Sequence, residues 1–268
     1  MAIIDKGASV LAQLKNKSKK SGKSLQLLLQ LFCQEEFLRR LFLSKYADNL
    51  ILKGGLFIYT LTGFESRSTL DVDFLLRNHS GEIDKIREIV QDIISVSTGN
   101  DFIEISASDF KTISPNKKYK GVAFQFIGKI KNTRTPFNVD IGIGDVVFPK
   151  TTKLAIPLQL DNFQVLQINV YSLESVISEK FDAIIGRLEM TSRMKDFYDI
   201  WYISNKFDFK GSELQEAISQ TLKNRETKYD ENIFEQILLL SSYADLGIKW
   251  KQFLKRANLP ELLYTAGI

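Results

Sequence analysis

Apolar residues recur along this chain in two rhythms, and the rhythm changes about two thirds of the way through. Two short runs, Asn49-Leu50-Ile51-Leu52 and Asp71 to Leu76, read as buried strands. Between them Leu56 to Thr62 fits a short helix, with Gly63 as its stop. Upstream, a first helix is expected over Lys6 to Leu14. Ser24 then caps a longer one from Leu25 to about Leu43. Its Leu28, Leu31, Phe32, Leu38, Leu41 and Phe42 offer a wide apolar surface for packing on a sheet, and Cys33 reads as a core residue there. Glu82 to Val96 is an amphipathic helix, ended by Gly99-Asn100. Phe102 to Ala107, Val122 to Ile130, Pro136 to Ile143 and Phe163 to Val170 read as strands, with Lys131 to Thr135 as a hairpin loop.

From Ser172 onward the pattern is helical throughout: Leu173 to Leu188, Met194 to Lys206, Ser212 to Leu222, Ile233 to Leu240 and Leu246 to Ala257. Ser212 with Gln215 fits a capping box. The pattern therefore predicts an α+β fold, a mixed sheet flanked by helices, in two domains: 1–170 with N-terminal helices and 171–268 wholly helical.

Composition narrows the chemistry. The chain has 268 residues, 44% hydrophobic and 25% charged, ordinary for a globular protein. One cysteine rules out an internal disulfide, and one histidine, His79, excludes a multi-histidine metal site. Any metal must then be held by carboxylates. His79 lies in turn composition, Arg77-Asn78-His79-Ser80-Gly81, and reads as a solvent-facing loop residue. The N-terminus lacks the apolar core of a signal peptide, and Leu25 to Phe32 is too short and polar to span a bilayer, so a cytoplasmic location is expected by default. The net charge of +4 permits a phosphate-rich partner without demanding one. The lysine run Lys15, Lys17, Lys19, Lys20 and Lys23 reads as a solvated linker, with a nucleic-acid contact as the alternative.

Two stretches carry candidate chemistry. In Leu52 to Phe74 a glycine pair, Gly54-Gly55, precedes the short helix, and Asp71-Val72-Asp73 opens the following strand. Asp71 and Asp73 are two apart and share a strand face. At ~4–5 Å and an effective dielectric near 20 their repulsion is about 3–4 kcal/mol. No opposite charge follows along the strand. A divalent cation would remove that cost, and hard oxygen ligands suit Mg2+ carrying a nucleotide's phosphates. The glycines let backbone approach a triphosphate, and the helix behind them offers free N–H groups. Asp140, in Phe137-Asn138-Val139-Asp140, is the expected third ligand; the alternative is an outward-facing edge residue. Asp145, after Gly144, reads as a turn residue. In Ser178 to Ile203, Lys180, Ala183 and Arg187 form a stripe beside an apolar one, and Asp196 and Asp199 lie one turn apart.

The order Lys53-Gly54-Gly55, then Arg67-Ser68-Thr69, then Asp71-Val72-Asp73 resembles the DNA polymerase β-type nucleotidyltransferase superfamily. More narrowly, it resembles the AbiEii/AbiGii abortive-infection nucleotidyltransferase toxins. The second stretch is similar to that family's K-x-x-A-x-x-x-R helix and following R-x-x-D turn, with Lys180, Ala183, Arg187, Arg193 and Asp196 matching. Relatives usually place arginine directly before the aspartate; here Lys195 stands there, so either Arg193 or Lys195 fills the basic role. The resemblance covers most of residues 50–203.

The resemblance implies Mg2+-dependent transfer of a nucleoside monophosphate from an NTP to an acceptor, with release of pyrophosphate. Asp71, Asp73 and Asp140 would hold one or two Mg2+. Gly54, Gly55 and Ser68 would cradle phosphates, with Arg67, Arg187 and Arg193 as further nucleotide contacts. Lys53 and Lys180 would offset phosphate charge, and Asp196 would orient a basic group or act as a base. The helical domain would complete the active-site cleft. It also implies the toxin of a phage-defence toxin–antitoxin pair, a tRNA 3′ end as acceptor, and a cognate antitoxin as partner. Transfer to a protein or small molecule, or a non-catalytic nucleotide- or RNA-binding role, are the alternatives.

Overall fold

Two helices open the chain, strands and two further helices follow to residue 170, and the remainder is helical. The computed structural model describes residues 5–113 and 121–264. Helices α1 (Lys6–Ser21) and α2 (Leu25–Leu43) lead into β1 (Leu50–Lys53), α3 (Gly54–Leu61), β2 (Asp71–Leu76) and α4 (Ile83–Ile94). A meander follows, β3 (Ile103–Ile113), β4 (Gly121–Ile130) and β5 (Thr133–Ile143), then β6 (Thr152–Ile156) and β7 (Leu166–Val170). The rest is helical: α5 (Leu173–Ile185), α6 (Met194–Lys206), α7 (Gly211–Arg225), α8 (Ile233–Leu239) and α9 (Ala244–Arg256). The fold is α+β, as the pattern predicts.

The chain forms two units. One contains Met1–Gly63, Thr69–Gly144 and Lys153–Val170; the other contains Phe64–Ser68, Asp145–Thr152 and Tyr171–Ile268. Two short segments from the strand-rich part of the sequence thus belong with the late helices. No described helix is long and apolar enough to cross a membrane.

In the first unit the strands run in the order β3-β4-β5-β2-β1-β7-β6. β1 is antiparallel to β2, β2 parallel to β5, and β1 parallel to β7. α2 packs on β5 and β7. Phe37 of α2 meets Phe74, Phe126 and Phe137 of three strands at ring separations of 6.1, 5.4 and 6.4 Å. Each such burial contributes about 1.5–3 kcal/mol.

α2 also buries charge. Glu36 is fully buried and takes Arg39, Arg40, Thr98 and Asn100 on its two oxygens. Glu35 takes Arg39 and the amide of Gln159. Gln30 and Gln34 both donate to the carbonyl of Leu70, at 3.1 and 2.8 Å, which fixes the chain just before β2.

Several expectations need correcting. The lysine run is not a linker: α1 continues to Ser21, places Lys19 and Lys20 in its last turn where the helix dipole favours cations, and ends at Gly22 with φ +71°. Lys17 donates to the carbonyl of Gln159 and Lys23 to the hydroxyl of Tyr59. α7 starts at Gly211 after Lys210, with no side-chain cap, so Ser212 and Gln215 form no capping box. The β4–β5 hairpin turns tightly at Lys131, φ +52°, rather than through five residues. β6 carries no apolar rhythm and was not expected; α5 ends at Ile185, before Arg187.

Candidate active site

The first unit gathers the predicted carboxylates through sheet register. Asp73 is paired with Asp140 on the neighbouring parallel strand, and Asp71 with Asn138. Residues paired this way project to one face, so Asp71, Asp73 and Asp140 share a face while Val72, Phe74 and Val139 fill the core behind them. Lys53 is the partner of Asp73 on the other side. The positive charge absent along β2 therefore comes from across the sheet. Asn138 Nδ2 lies 3.5 Å from Asp71 Oδ1.

The glycine pair forms the first turn of α3 rather than a loop before it. Gly54 has φ +68°, and a Cβ built on it would stand 2.2 Å from Asp73 Oδ2. Only glycine allows helix and carboxylate to approach this closely. No side chain caps α3, and its first turn contains no acid. Gly63 closes the segment with φ +61°, in the expected role.

The donor chemistry and the Gly54 approach fit a hard cation at these carboxylates. As the side chains stand, no three His, Cys, Asp or Glu among the described residues converge on one point. The fit lies in strand register and donor type.

The second unit holds a buried ionic network. Lys180, 8% exposed, donates to Asp196 Oδ1 at 3.2 Å and Asp199 Oδ2 at 2.6 Å. Arg67 forks onto Asp199 at 2.7 and 2.6 Å. Arg193 bonds Asp196 from three residues upstream. Asp196 and Asp199 are 0% and 1% exposed. Burial opposes the charge on Lys180, but Asp199 and Asp196 outweigh it and raise its pKa. Burial likewise opposes the Asp196 carboxylate, and Lys180 and Arg193 outweigh it and lower its pKa. A carboxylate held low and doubly paired is suited to orienting basic groups, not to accepting a proton.

The network settles which basic residue meets Asp196: Arg193 does, while Lys195 is exposed. Arg187 stays outside; it lies beyond α5, exposed, with Nη1 on the carbonyl of Ala183. Ser68 is exposed, next to Arg67. His79 is exposed, its ring 5.5 Å from that of Tyr46.

A further cluster went unseen in the sequence. Arg225 meets Asp145 at 2.8 Å, Asp182 at 2.9 Å and Glu179 at 3.3 Å. Asp145 is thus an ion-pair partner rather than only a turn residue. Asp182 and Glu179 lie in α5 beside Lys180, a signal only in retrospect.

Comparison with known proteins places these features in context. The family model described as "Nucleotidyl transferase AbiEii toxin, Type IV TA system" matches residues 36–263. MenT4, a nucleotidyltransferase toxin from Mycobacterium tuberculosis H37Rv, is similar in structure, with a TM-score of 0.62, 14% identity, and coverage of 85% of this chain and 76% of that one. JHP933 from Helicobacter pylori gives 0.45 at 15% identity, covering 88% and 96% of the two chains. A putative nucleotidyltransferase from H. pylori gives 0.46 at 13%, covering 88% and 97%. No curated protein matches this chain.

Proposed function

The chain belongs to the AbiEii family, nucleotidyltransferase toxins of type IV toxin–antitoxin systems, and from that premise we propose that it moves a nucleoside monophosphate from an NTP to the 3′ end of an RNA, tRNA foremost, with Mg2+ as cofactor. The observation that carries this reading is the pairing of Asp73 with Asp140, with Asp71 on the same face. In the proposed reaction the acceptor oxygen bonds to the α-phosphorus as the bond to the bridging oxygen breaks. Pyrophosphate departs, and the hydroxyl proton passes to solvent.

Asp71, Asp73 and Asp140 would hold Mg2+, which when bound supplies charge neutralisation and a more acidic acceptor hydroxyl. The uncapped amides of α3, reached past Gly54 and Gly55, would bind phosphate oxygens. Lys53, beside Asp73, would offset phosphate charge. Lys180 already meets two carboxylates, so its proposed role is to hold Asp196 and Asp199, and through them Arg193 and Arg67, in a fixed array. As the toxin of a phage-defence pair, it would have a cognate antitoxin as its counterpart.

The test incubates purified protein with each labelled NTP, Mg2+ and total cellular RNA. Wild type should label RNA and release pyrophosphate; Asp73→Asn should lose at least a hundredfold in rate. Full transfer by Asp73→Asn would sink the assignment of the carboxylates. Label on protein instead of RNA would move the acceptor to another class. Expressed alone, wild type should arrest growth and Asp71→Ala should not.

A further inference from the structure

β3 carries a bulge between Ala107 and Asp109 where it pairs with β4. Ahead of it Ile103 and Ile105 face the core, and Ala107 opposes the fully buried Phe126. Strict alternation would put Asp109 and Lys111 on that same core face. One extra residue reverses the parity. Phe110 now opposes the buried Phe124, while Asp109 opposes Gln125 and Lys111 opposes Ala123.

The consequence runs across the sheet. Ala123 pairs with Asp140 and Gln125 with Asn138. Two polar rows therefore share the face of the carboxylates: Lys53, Asp73, Asp140, Ala123 and Lys111, then Asp71, Asn138, Gln125 and Asp109. Asp71, Asp140, Asn138, Gln125, Asp109 and Lys111 line a cavity of about 170 Å³. That is smaller than the ~300–1,000 Å³ of sites for whole drug-sized ligands, so it suits the end of a larger molecule. Ala123, between Asp140 and Lys111 in its row, leaves the floor low.

We propose that this cavity is the acceptor subsite: it takes the terminal ribose of an RNA 3′ end, with the phosphate 5′ of that ribose on Lys111. The proposal rests on the reading of Asp71, Asp73 and Asp140 as the transfer centre. Asp71 and Asp140 line the cavity, so a hydroxyl bound there is beside that centre. The amides of Asn138 and Gln125 and the carboxylate of Asp109 supply the donors and acceptors a ribose diol needs. Lys111 is exposed and, among the described residues, forms no ion pair, so its charge is available to a phosphate. The bulge is the device that delivers it.

The experiment measures transfer from labelled NTP to bulk tRNA by wild type, Lys111→Ala, Lys111→Arg and Ala123→Leu. Lys111 is exposed, so its variants keep the fold. Lys111→Ala should raise KM for tRNA about tenfold and leave KM for NTP unchanged. Lys111→Arg should restore most of the loss. Ala123→Leu, which fills the cavity, should abolish tRNA labelling while NTP binding by equilibrium dialysis persists. tRNA with a periodate-oxidised terminal ribose should accept nothing. Unchanged KM for tRNA in Lys111→Ala, or a rise in KM for NTP instead, overturns the subsite, as does label on protein. Asp73→Asn separates the two levels. If it is inactive and Lys111→Ala behaves as wild type, only the subsite fails; if it still transfers, the transfer centre fails and the subsite with it.

Discussion

Arg67 grips both carboxylate oxygens of Asp199, at 2.7 and 2.6 Å, from 132 positions upstream. Removing it would leave a buried carboxylate, 1% exposed, with Lys180 as its remaining ion-pair partner of the network. Arg67→Ala should cost about 3 kcal/mol in urea unfolding. Arg67→Lys should recover less than half, because an ammonium cannot reproduce the planar fork. A lysine variant as stable as wild type would show that the fork is dispensable.

The network also sets a pH dependence. The pKa of Asp196 is lowered in the fold, so the stability it contributes is present above its unfolded value near 3.8 and is lost as pH falls through the lower folded value. The pKa of Lys180 is raised, so its contribution is complete below 10.5 and is lost as pH rises through the higher folded value. Unfolding free energy should therefore fall with acid below about pH 4. Asp196→Asn should start less stable at pH 7 and show a shallower acid slope. Equal slopes would remove Asp196 from the account.

Gly54→Ala tests the approach of α3 to β2. The added Cβ meets Asp73 Oδ2 at 2.2 Å, and φ is +68°. The backbone cost alone is about 1–2 kcal/mol, and the clash must turn the Asp73 carboxylate. Transfer should fall much further than the melting temperature. A variant with normal turnover would show that Asp73 has freedom to move without consequence.

Gly128 and Cys33 give a paired test in the core. A Cβ at Gly128 would lie 2.4 Å from Cys33 Sγ. Gly128→Ala should destabilise by about 1–3 kcal/mol, and Cys33→Ala in the same chain should recover part of it, because the Cβ that alanine keeps still lies 2.9 Å away. Burial pushes the Cys33 thiol up to about 12. Native protein should resist thiol reagents at pH 8 and react on unfolding. Rapid native labelling would contradict the packing of α2 on β4.

Local pattern carried far where side chains alternate strongly. α2, β2 and α6 take the residues their pattern predicts; in α2 the Ser24 cap and the apolar run agree on where the helix starts. β6 escaped because its pattern, mostly exposed with only Ile156 buried, has no rhythm. The charges of α2 escaped for another reason: Glu35, Glu36 and Arg39 have the i,i+3 and i,i+4 spacing of surface pairs, and only tertiary packing buries them. In the candidate site the common face of Asp71 and Asp73 is a local fact. The pairing of Asp73 with Lys53 and Asp140, and of Arg67 with Asp199, is set by register and packing, which no window of sequence contains. The β3 bulge is of the same kind: the pattern ends the strand at Ala107, whereas β3 runs on to Ile113 and its slip appears only against β4.

The segments Phe64–Ser68 and Asp145–Thr152 have a consequence for descent and for engineering. The helical unit draws Arg67 and Asp145 from sequence that precedes its own long run, and these two meet Asp199 and Arg225. A fragment cut at residue 171 would lack both. Its late helices are therefore not a cassette that recombination could pass intact to another enzyme, or that an expression vector could carry alone. The two units are interleaved in sequence, so neither can be excised as one continuous stretch.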